Sequence, residues 1–194
     1  MSWNLFVISY NCSVGTNNLK KLIKMTTLKL VFGPSPIFKE IAEKVNTIDD
    51  EIISLCEGMR EVLYREGAVG IAATMVGVLK RVVVVDVQEN DERTPFSMIN
   101  PEITWASEET QTMEEGSICF PGVSAEITRP RTIKINYLDE CGEEQTMEAD
   151  GYLSTVIQHE IDYLNGKTYL DYLSPMRRSL LLKRTKKYTK RSGF

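Results

Sequence analysis

The sequence predicts an α+β protein in which a few helices pack against mostly antiparallel strands. Two segments, 47–67 and 152–166, carry apolar residues at helical spacing, and a third helix is predicted from Met176. Between the first two helices lie segments that alternate apolar and polar side chains, as half-buried strands do. Because helices are segregated from strands along the chain, the α+β class is favoured.

The chain of 194 residues is predicted to form one domain with a substantial core. It contains no apolar run of the roughly 18 to 20 residues that span a bilayer, so we expect no membrane partner. The widely spaced cysteines predict reduced thiols and a cytoplasmic location, since they show no disulfide-framework spacing. They are Cys12, Cys56, Cys119 and Cys141.

Residues 1–24 are predicted to be an extension outside the fold, with 25–176 as the domain and 177–194 as a basic C-terminal helix or tail. The extension has an apolar patch at residues 5–8 and later lysines, but no acidic residue. A signal peptide would place its positive charge before the apolar run. Met25 is an alternative first residue.

The first helix, over 47–67, is predicted to begin at a Thr/Asp start and to end at Gly67. The segment 81–87, RVVVVDV, is predicted to be a buried strand because β-branched residues dominate it. Residues 97–105, 124–139 and 143–151 alternate as strands, and Asp139–Gly142 between the last two reads as a hairpin turn. Asn165–Gly166 is predicted to end the second helix.

The C-terminal tail is strongly basic, whereas the rest of the chain is acidic. From residue 177 it contains eight Lys or Arg and no acid, which leaves 23 − 8 = 15 basic against 27 acidic residues elsewhere, a net charge near −12. A polyanion such as an RNA surface would therefore meet the tail rather than the body. The alternative is a solvated basic terminus. We expect no DNA partner.

The segment QHEIDYLNG, residues 158–166, begins like a zinc-hydrolase helix. In such a helix, histidines at i and i+4 bind one metal ion, and the Glu at i+1 takes a proton from the metal-bound water. His159 is the only histidine of the chain, and position 163 is Tyr. Taken alone, the His159–Glu160 pair is also compatible with an ordinary helix face.

Three segments in order resemble the motifs of the peptide deformylases. GAVGIAATMVG (67–77), MEEGSICFPGV (113–123) and QHEIDYLNG resemble G-x-G-x-A-A-x-Q, E-G-C-x-S and H-E-x-x-H, and the resemblance covers roughly residues 26–185. It implies the peptide deformylase fold, with antiparallel or mixed sheets around a central helix carrying His159–Glu160 and a C-terminal helix. It also implies an enzyme that removes the formyl group from N-formylmethionine. Such an enzyme uses one Fe or Zn ion, which one Cys and two His bind.

The resemblance assigns several retained positions. His159 corresponds to a metal ligand, Glu160 to the general base, Ile118 to the backbone N–H that stabilises the oxyanion, and Gly70 to the second glycine of the first motif. Glu115 and Gly116, Ala72 and Ala73 are also retained.

Three departures lie where the chemistry of the family is concentrated. Met75 occupies the place of the oxyanion Gln, Ser117 that of the metal-binding Cys, and Tyr163 that of the second His. Neither a serine hydroxyl nor a phenol with a pKa of about 10 supplies an anionic ligand near neutral pH. At about 3 kcal/mol per ligand, losing two costs about 6 kcal/mol of metal affinity. We therefore expect no fully occupied metal site and little or no hydrolase activity.

The alternative hypothesis is that the protein is an active deformylase. In it, a rearranged Fe or Zn site draws on Cys119, Asp162 or Tyr163 beside His159, with Cys119 on a strand and facing the same side as Ser117. The competing interpretation treats Cys119 as a core thiol.

The resemblance further implies that a peptide lies as an added strand between residues 68–70 and 118–122. Strand addition depends on main-chain groups, which substitutions of side chains leave in place. The expected partners are a formyl-Met peptide or nascent chain, and the ribosome through the basic tail, since bacterial family members contact it with the C-terminal helix. The predicted peptide-binding residues are Ala68, Val69, Gly70, Ile118, Cys119, Phe120, Pro121 and Gly122.

Overall fold

The computed structural model describes residues 28–88 and 92–192, and over these it has three α-helices and seven strands. The predicted extension 1–24, with Cys12, lies outside the described residues. In chain order the elements are α1 Asp50–Glu66, β1 Gly70–Ala72, β2 Val82–Val85, β3 Phe96–Ala106, β4 Thr110–Gly116, β5 Ser124–Pro130, β6 Thr132–Leu138, β7 Glu144–Asp150, α2 Gly151–Leu164 and α3 Pro175–Ser192. The predicted α+β class is confirmed.

Five strands form one antiparallel sheet in the order β1-β2-β3-β6-β7, and β4 pairs with β5 in a separate ribbon. Strand β1 therefore lies at an edge. Gly70 lies opposite Val85 on β2, and in the adjacent pair the Asp86 N–H donates to the Val69 carbonyl at 2.9 Å. In an antiparallel pair, residues whose N–H and C=O bond to the partner strand alternate with residues whose N–H and C=O point away from it. Because Val69 bonds to β2, the N–H and C=O of the next residue, Gly70, point away from β2.

Helix α2 is central to the fold, and ten of its fourteen residues are buried. It packs against β1 and β2 and also against β5, β6 and β7, which explains why polar as well as apolar side chains lose contact with water. Gly166 follows the helix at φ 70°, and a Cβ there would lie 2.7 Å from the Lys39 carbonyl oxygen. Glycine is required here by both conformation and space.

The predicted helix over 47–67 is confirmed as α1. The Asp49 carboxylate caps it by accepting from the N–H groups of Glu51 and Ile52, both at 3.1 Å, and Gly67 ends it in the left-handed conformation at φ 64°. The turn at 139–142 is confirmed as well, since the Gly142 N–H donates to the Asp139 carbonyl at 3.0 Å.

The strand segment 124–139 divides into two strands that belong to different sheets. β5 pairs with β4, β6 pairs with β3 and β7, and Arg131 lies between them with its N–H donating to the Glu109 carbonyl. β5 ends at Pro130 and β6 begins at Thr132, so the change of partner strand falls at Arg131. β4 was not predicted, because most of its side chains remain in contact with water and no apolar alternation reveals it.

Helix α3 packs against the body through part of one face. Leu181 and Thr185 are buried, and the Tyr188 ring lies so close to Gly122 that a Cβ there would be 2.8 Å from Cδ2. Met176 and Leu180 are exposed on the same helix. No helix within residues 28–88 and 92–192 is long and apolar enough to cross a membrane.

Candidate functional site

The three motif segments meet at one cleft that encloses about 510 Å³. One wall is formed by residues 67–70 at the start of β1, and the opposite wall by residues 113–118 and Pro121. Helix α2 forms the floor, where His159 and Glu160 are exposed by only 7% and 4%. Three segments far apart in the chain are thus brought together as the motifs predict.

Ser117 and Tyr163 are hydrogen-bonded to each other at the bottom of the cleft. Their hydroxyl oxygens are 2.8 Å apart, and the Cys119 N–H donates to Ser117 Oγ at 3.2 Å. Tyr163 is fully buried, with its ring centroid 5.2 Å from that of Phe38 and 5.5 Å from the His159 ring. Burial raises the pKa of Tyr163 well above its ordinary value, so a phenolate ligand is disfavoured.

His159 is held by a buried chain of charges. Its Nδ1 lies 2.8 Å from Glu115 Oε2, and Arg129 binds the same carboxylate through two contacts of 2.6 and 3.0 Å. Arg129 Nη1 also donates to Asp162 at 2.8 Å. Burial acts to raise the pKa of Glu115, but hydrogen bonds from His159 and Arg129 outweigh it and the pKa is lowered. The imidazole is therefore fixed in orientation through Nδ1.

Arg129 was missed in the sequence, although a signal was present. On β5, Ala125, Ile127 and Arg129 occupy alternate positions, and all three are buried. A charged residue at an inward-facing strand position needs a buried partner. This pattern could have indicated that Arg129 pairs with an acid in the core.

Glu160 lies directly beneath β1. A Cβ added to Gly70 would be 2.7 Å from Glu160 Oε1 and 2.9 Å from Val156 Cγ1, so this position requires glycine. Glu160 Oε2 is buried and has no hydrogen-bond partner within the described residues. Burial raises the pKa of Glu160 to about 7, partly offset by the nearby His159.

Met75 supplies no hydrogen-bond donor to the cleft. Its side chain is buried, and Sδ accepts from the Ala72 N–H at 3.3 Å. A thioether can only accept. The oxyanion donor that the resemblance places here is therefore absent from this position.

Cys119 does not lie on a strand, which corrects the arrangement considered for a rearranged metal site. Residues 118–119 form a turn after β4, and the Cys119 carbonyl accepts from the Gly33 N–H at 2.8 Å. The thiol is fully buried, and burial raises its pKa far above the ordinary value. A low-pKa thiolate ligand is not favoured there.

Asp162 does not join His159 either, because its carboxylate is bound by Arg129 and by the Tyr172 hydroxyl at 2.9 Å. In the part of the chain that the structure describes, no three His, Cys, Asp or Glu side chains are grouped to hold a metal ion. The donors at the family positions are one imidazole and two neutral hydroxyls that bind each other. This set does not fit an iron or zinc ion held by one thiolate and two imidazoles.

The predicted peptide-binding residues divide into two groups. Ala68, Val69, Gly70, Ile118 and Pro121 line the cleft. The Ile118 N–H makes no hydrogen bond within the described residues, so it is available to a ligand.

Cys119, Phe120 and Gly122 lie behind the cleft wall. The Phe120 ring packs against Phe38 and Tyr169, with centroids 5.8 and 6.1 Å apart, and Gly122 faces α3. The Phe120 N–H already donates to the Ser117 carbonyl at 2.9 Å. A peptide-binding role for these three residues stays a prediction.

Comparison with known proteins gives consistent matches. The family model "Polypeptide deformylase" matches residues 27–179. A "Peptide deformylase-like" protein of Rickettsia conorii is 51% identical over 162 residues, covering 84% of this chain and 88% of that protein. A "Peptide deformylase" of Rhizobium meliloti is 40% identical over 170 residues, covering 87% and 98%. The crystal structure of peptide deformylase from Ehrlichia chaffeensis has a TM-score of 0.79 at 35% identity, covering 84% and 97%.

Proposed function

The chain belongs to the polypeptide deformylase family, and we propose that it binds the N-terminal end of a peptide with little or no hydrolysis. The observation that carries this proposal is the hydrogen bond between Ser117 and Tyr163. The two side chains at the ligand positions satisfy each other instead of presenting charged or imidazole donors to an ion.

The family normally uses one metal ion, which activates the attacking water. Here the remaining groups cannot supply that activation. Glu160 is positioned to accept a proton and Ile118 to donate its N–H, but Met75 offers no second donor for an oxyanion. Losing one such donor alone lowers the rate by a factor of about 10² to 10³. We propose that the protein holds no metal at full occupancy.

Peptide binding is supported by main-chain geometry that these substitutions leave intact. The outer N–H and C=O of Gly70 are unpaired by β2, and the Ile118 N–H lies on the opposite wall. An extended peptide inserted between them would extend the sheet at β1. This chain would bind and orient a peptide without carrying out the hydrolytic step.

The decisive experiment restores the family residues. Met75→Gln, Ser117→Cys and Tyr163→His together should create hydrolysis of formyl-Met-Ala-Ser, together with stoichiometric metal in protein purified anaerobically with Fe or Zn. Adding Glu160→Gln to the triple variant should remove the gained activity, because the proton acceptor is lost. Stoichiometric metal and turnover of the same peptide by the natural chain would overturn the proposal and favour the active alternative.

We further propose that the protein works in the bacterial cytoplasm near nascent chains, with α3 approaching the ribosome. Its relatives named above are bacterial proteins. Cys56 and Cys119 are buried free thiols, as suits a reducing compartment. Arg184, Lys187 and Arg191 form a basic surface around Tyr188 on α3, which suits the phosphates of RNA.

A further inference from the structure

We propose that a second cavity, separate from the peptide cleft, binds a free α-amino acid with an apolar side chain. The cavity encloses about 500 Å³ between the N-terminal half of α1, the start of β3 and the turn that joins β6 to β7. None of the residues that line it also lines the cleft. Small-molecule sites have volumes of about 300 to 1,000 Å³, so the space is sufficient. This site is independent of peptide binding in the cleft.

Two polar atoms beside this cavity are buried without a hydrogen-bond partner in the described part of the chain. They are Ser97 Oγ and Arg60 Nε, and both residues line the cavity. Ser97 is only 5% exposed, and the nearby Cys56 thiol is at most a weak partner for its hydroxyl. Because a buried polar group without a partner is unfavourable, such groups mark a place where a ligand can supply the missing hydrogen bond. Both groups can donate, so both fit a carboxylate.

The carboxylates that line the cavity differ in how they are already used. Asp49 accepts from two N–H groups of α1, and Asp139 accepts from two backbone N–H groups of its own turn. Glu140 is paired with Arg60. The carboxylate of Asp50 is exposed and makes neither a hydrogen bond nor an ion pair among the residues that the structure describes. Asp50 is therefore the acid left to bind an ammonium group.

The cavity also has an apolar wall, formed by the half-buried side chains of Ile53, Pro95 and Phe96. Four carboxylates and one guanidinium line the cavity, so a ligand with negative charge alone is disfavoured. An apolar α-amino acid uses all of these groups at once. Its carboxylate accepts from Arg60 and Ser97, its ammonium group binds Asp50, and its side chain packs on the apolar wall.

The test removes one part of the ligand at a time. Isothermal titration calorimetry at pH 7 compares L-phenylalanine with phenethylamine, which lacks the carboxylate, with 3-phenylpropionate, which lacks the ammonium group, and with glycine, which lacks the side chain. We expect phenethylamine to bind at least about 10-fold more weakly than L-phenylalanine, because two buried donors lose their charged acceptor. The loss for 3-phenylpropionate should be smaller, about threefold, since solvent screens Asp50. Glycine should show no measurable binding.

Variants of the full chain assign each part of the ligand to a residue. Ser97→Ala should weaken L-phenylalanine by about fivefold and leave phenethylamine within about twofold, because the hydroxyl serves the carboxylate. Asp50→Asn should weaken L-phenylalanine by about threefold without weakening 3-phenylpropionate. Glu51→Gln is the matched control, since Glu51 is the next residue, is exposed and does not line the cavity. It should leave all affinities within about twofold.

Cys141 reports where the amino acid binds, because it is exposed and lines the same cavity. Saturating L-phenylalanine should slow its alkylation by iodoacetamide at least about twofold, as followed by peptide mapping. A dissociation constant weaken than about 10 mM for L-phenylalanine would refute the site. Equal affinity for phenethylamine, or binding without protection of Cys141, would refute it as well. These three measurements use the natural chain, so they decide the matter even when a variant fails to fold.

Discussion

The hydroxyl groups of Ser117 and Tyr163 lie 2.8 Å apart, joining the loop after β4 to the last turn of α2. In the family motifs these two positions belong to a thiolate and an imidazole. Here a direct hydrogen bond connects them, and the surrounding rings of Phe38 and His159 enclose the phenol. The site is held together by polar pairing and aromatic packing among its own side chains.

Removing either hydroxyl should destabilise the protein. Ser117→Ala leaves the fully buried Tyr163 hydroxyl without this partner, at a cost of about 1 to 3 kcal/mol in the free energy of unfolding. Tyr163→Phe should cost less, because Ser117 is half-buried and its Oγ still accepts from the Cys119 N–H. The double variant should cost less than the sum of the single changes, because both partners are then removed. Urea denaturation of all four proteins measures the coupling. Strictly additive losses would show that the hydrogen bond does not form.

Gly70→Ala should be far more damaging than Gly116→Ala. At Gly70 the new Cβ would lie 2.7 Å from Glu160 Oε1, whereas at Gly116 the nearest atom, the Val123 carbonyl oxygen, is 3.6 Å away. We expect a loss of about 1 to 3 kcal/mol in the first variant, as overpacking typically gives, and a much smaller change in the second. Peptide binding should also weaken in Gly70→Ala alone. Equal stability of the two variants would contradict the close approach of α2 to β1.

Arg129→Met should cost about 3 to 5 kcal/mol of stability, because it leaves the carboxylate of Glu115 buried without its cation. Arg131→Met, two residues away, is the matched control. Arg131 pairs with Asp150 and Glu109, and all three side chains are about half exposed or more, so its loss should cost less than about 1 kcal/mol. Thermal or chemical denaturation compares the two. A control as damaging as Arg129→Met would contradict this account of the buried network.

Asp171 should make stability depend on pH at the acid end. Burial acts to raise its pKa, but hydrogen bonds from Lys39 and Thr168 outweigh burial and lower it below the value of a free Asp. A lowered pKa in the folded state gives stability that is present above the unfolded pKa of about 3.9 and lost as pH falls through the folded pKa. The stability difference between the natural chain and Asp171→Asn should therefore shrink as pH falls below about 4. Urea denaturation from pH 6 to pH 2 measures it, and a constant difference would refute the role.

The basic surface of α3 should govern any binding to ribosomes. Replacing Arg184, Lys187 and Arg191 by Gln should weaken co-sedimentation with ribosomes and reduce the slope of log K against log salt by about 2, at about 0.7 per charge. The control removes three exposed lysines elsewhere on the body, Lys29, Lys44 and Lys134. Equal loss in both triple variants would show that α3 is not the binding surface. Substitution is preferable to truncation after Pro175, because Leu181 and Thr185 are buried.

Much of the fold could be predicted because its signals are local. The Asp49 cap and Gly67 delimit α1, and the hairpin turn at Asp139–Gly142 lies between two alternating segments. The break at Arg131 could not be predicted from alternation, since β5 and β6 carry the same period but pair with different strands. The choice of partner strand depends on contacts distant in sequence.

The sequence by itself determined which chemical groups stand at the family positions: a hydroxyl at Ser117, a phenol at Tyr163 and a thioether at Met75. Residue identity settles what each group can donate, accept or ionise. Only the tertiary structure decided that Ser117 and Tyr163 bind each other, that Arg129 reaches Glu115, and that the Cys119 thiol is buried. The physical reason is that these contacts join segments distant in sequence, the loop after β4 to α2 and β5 to β4, and local periodicity carries no information about which segments meet.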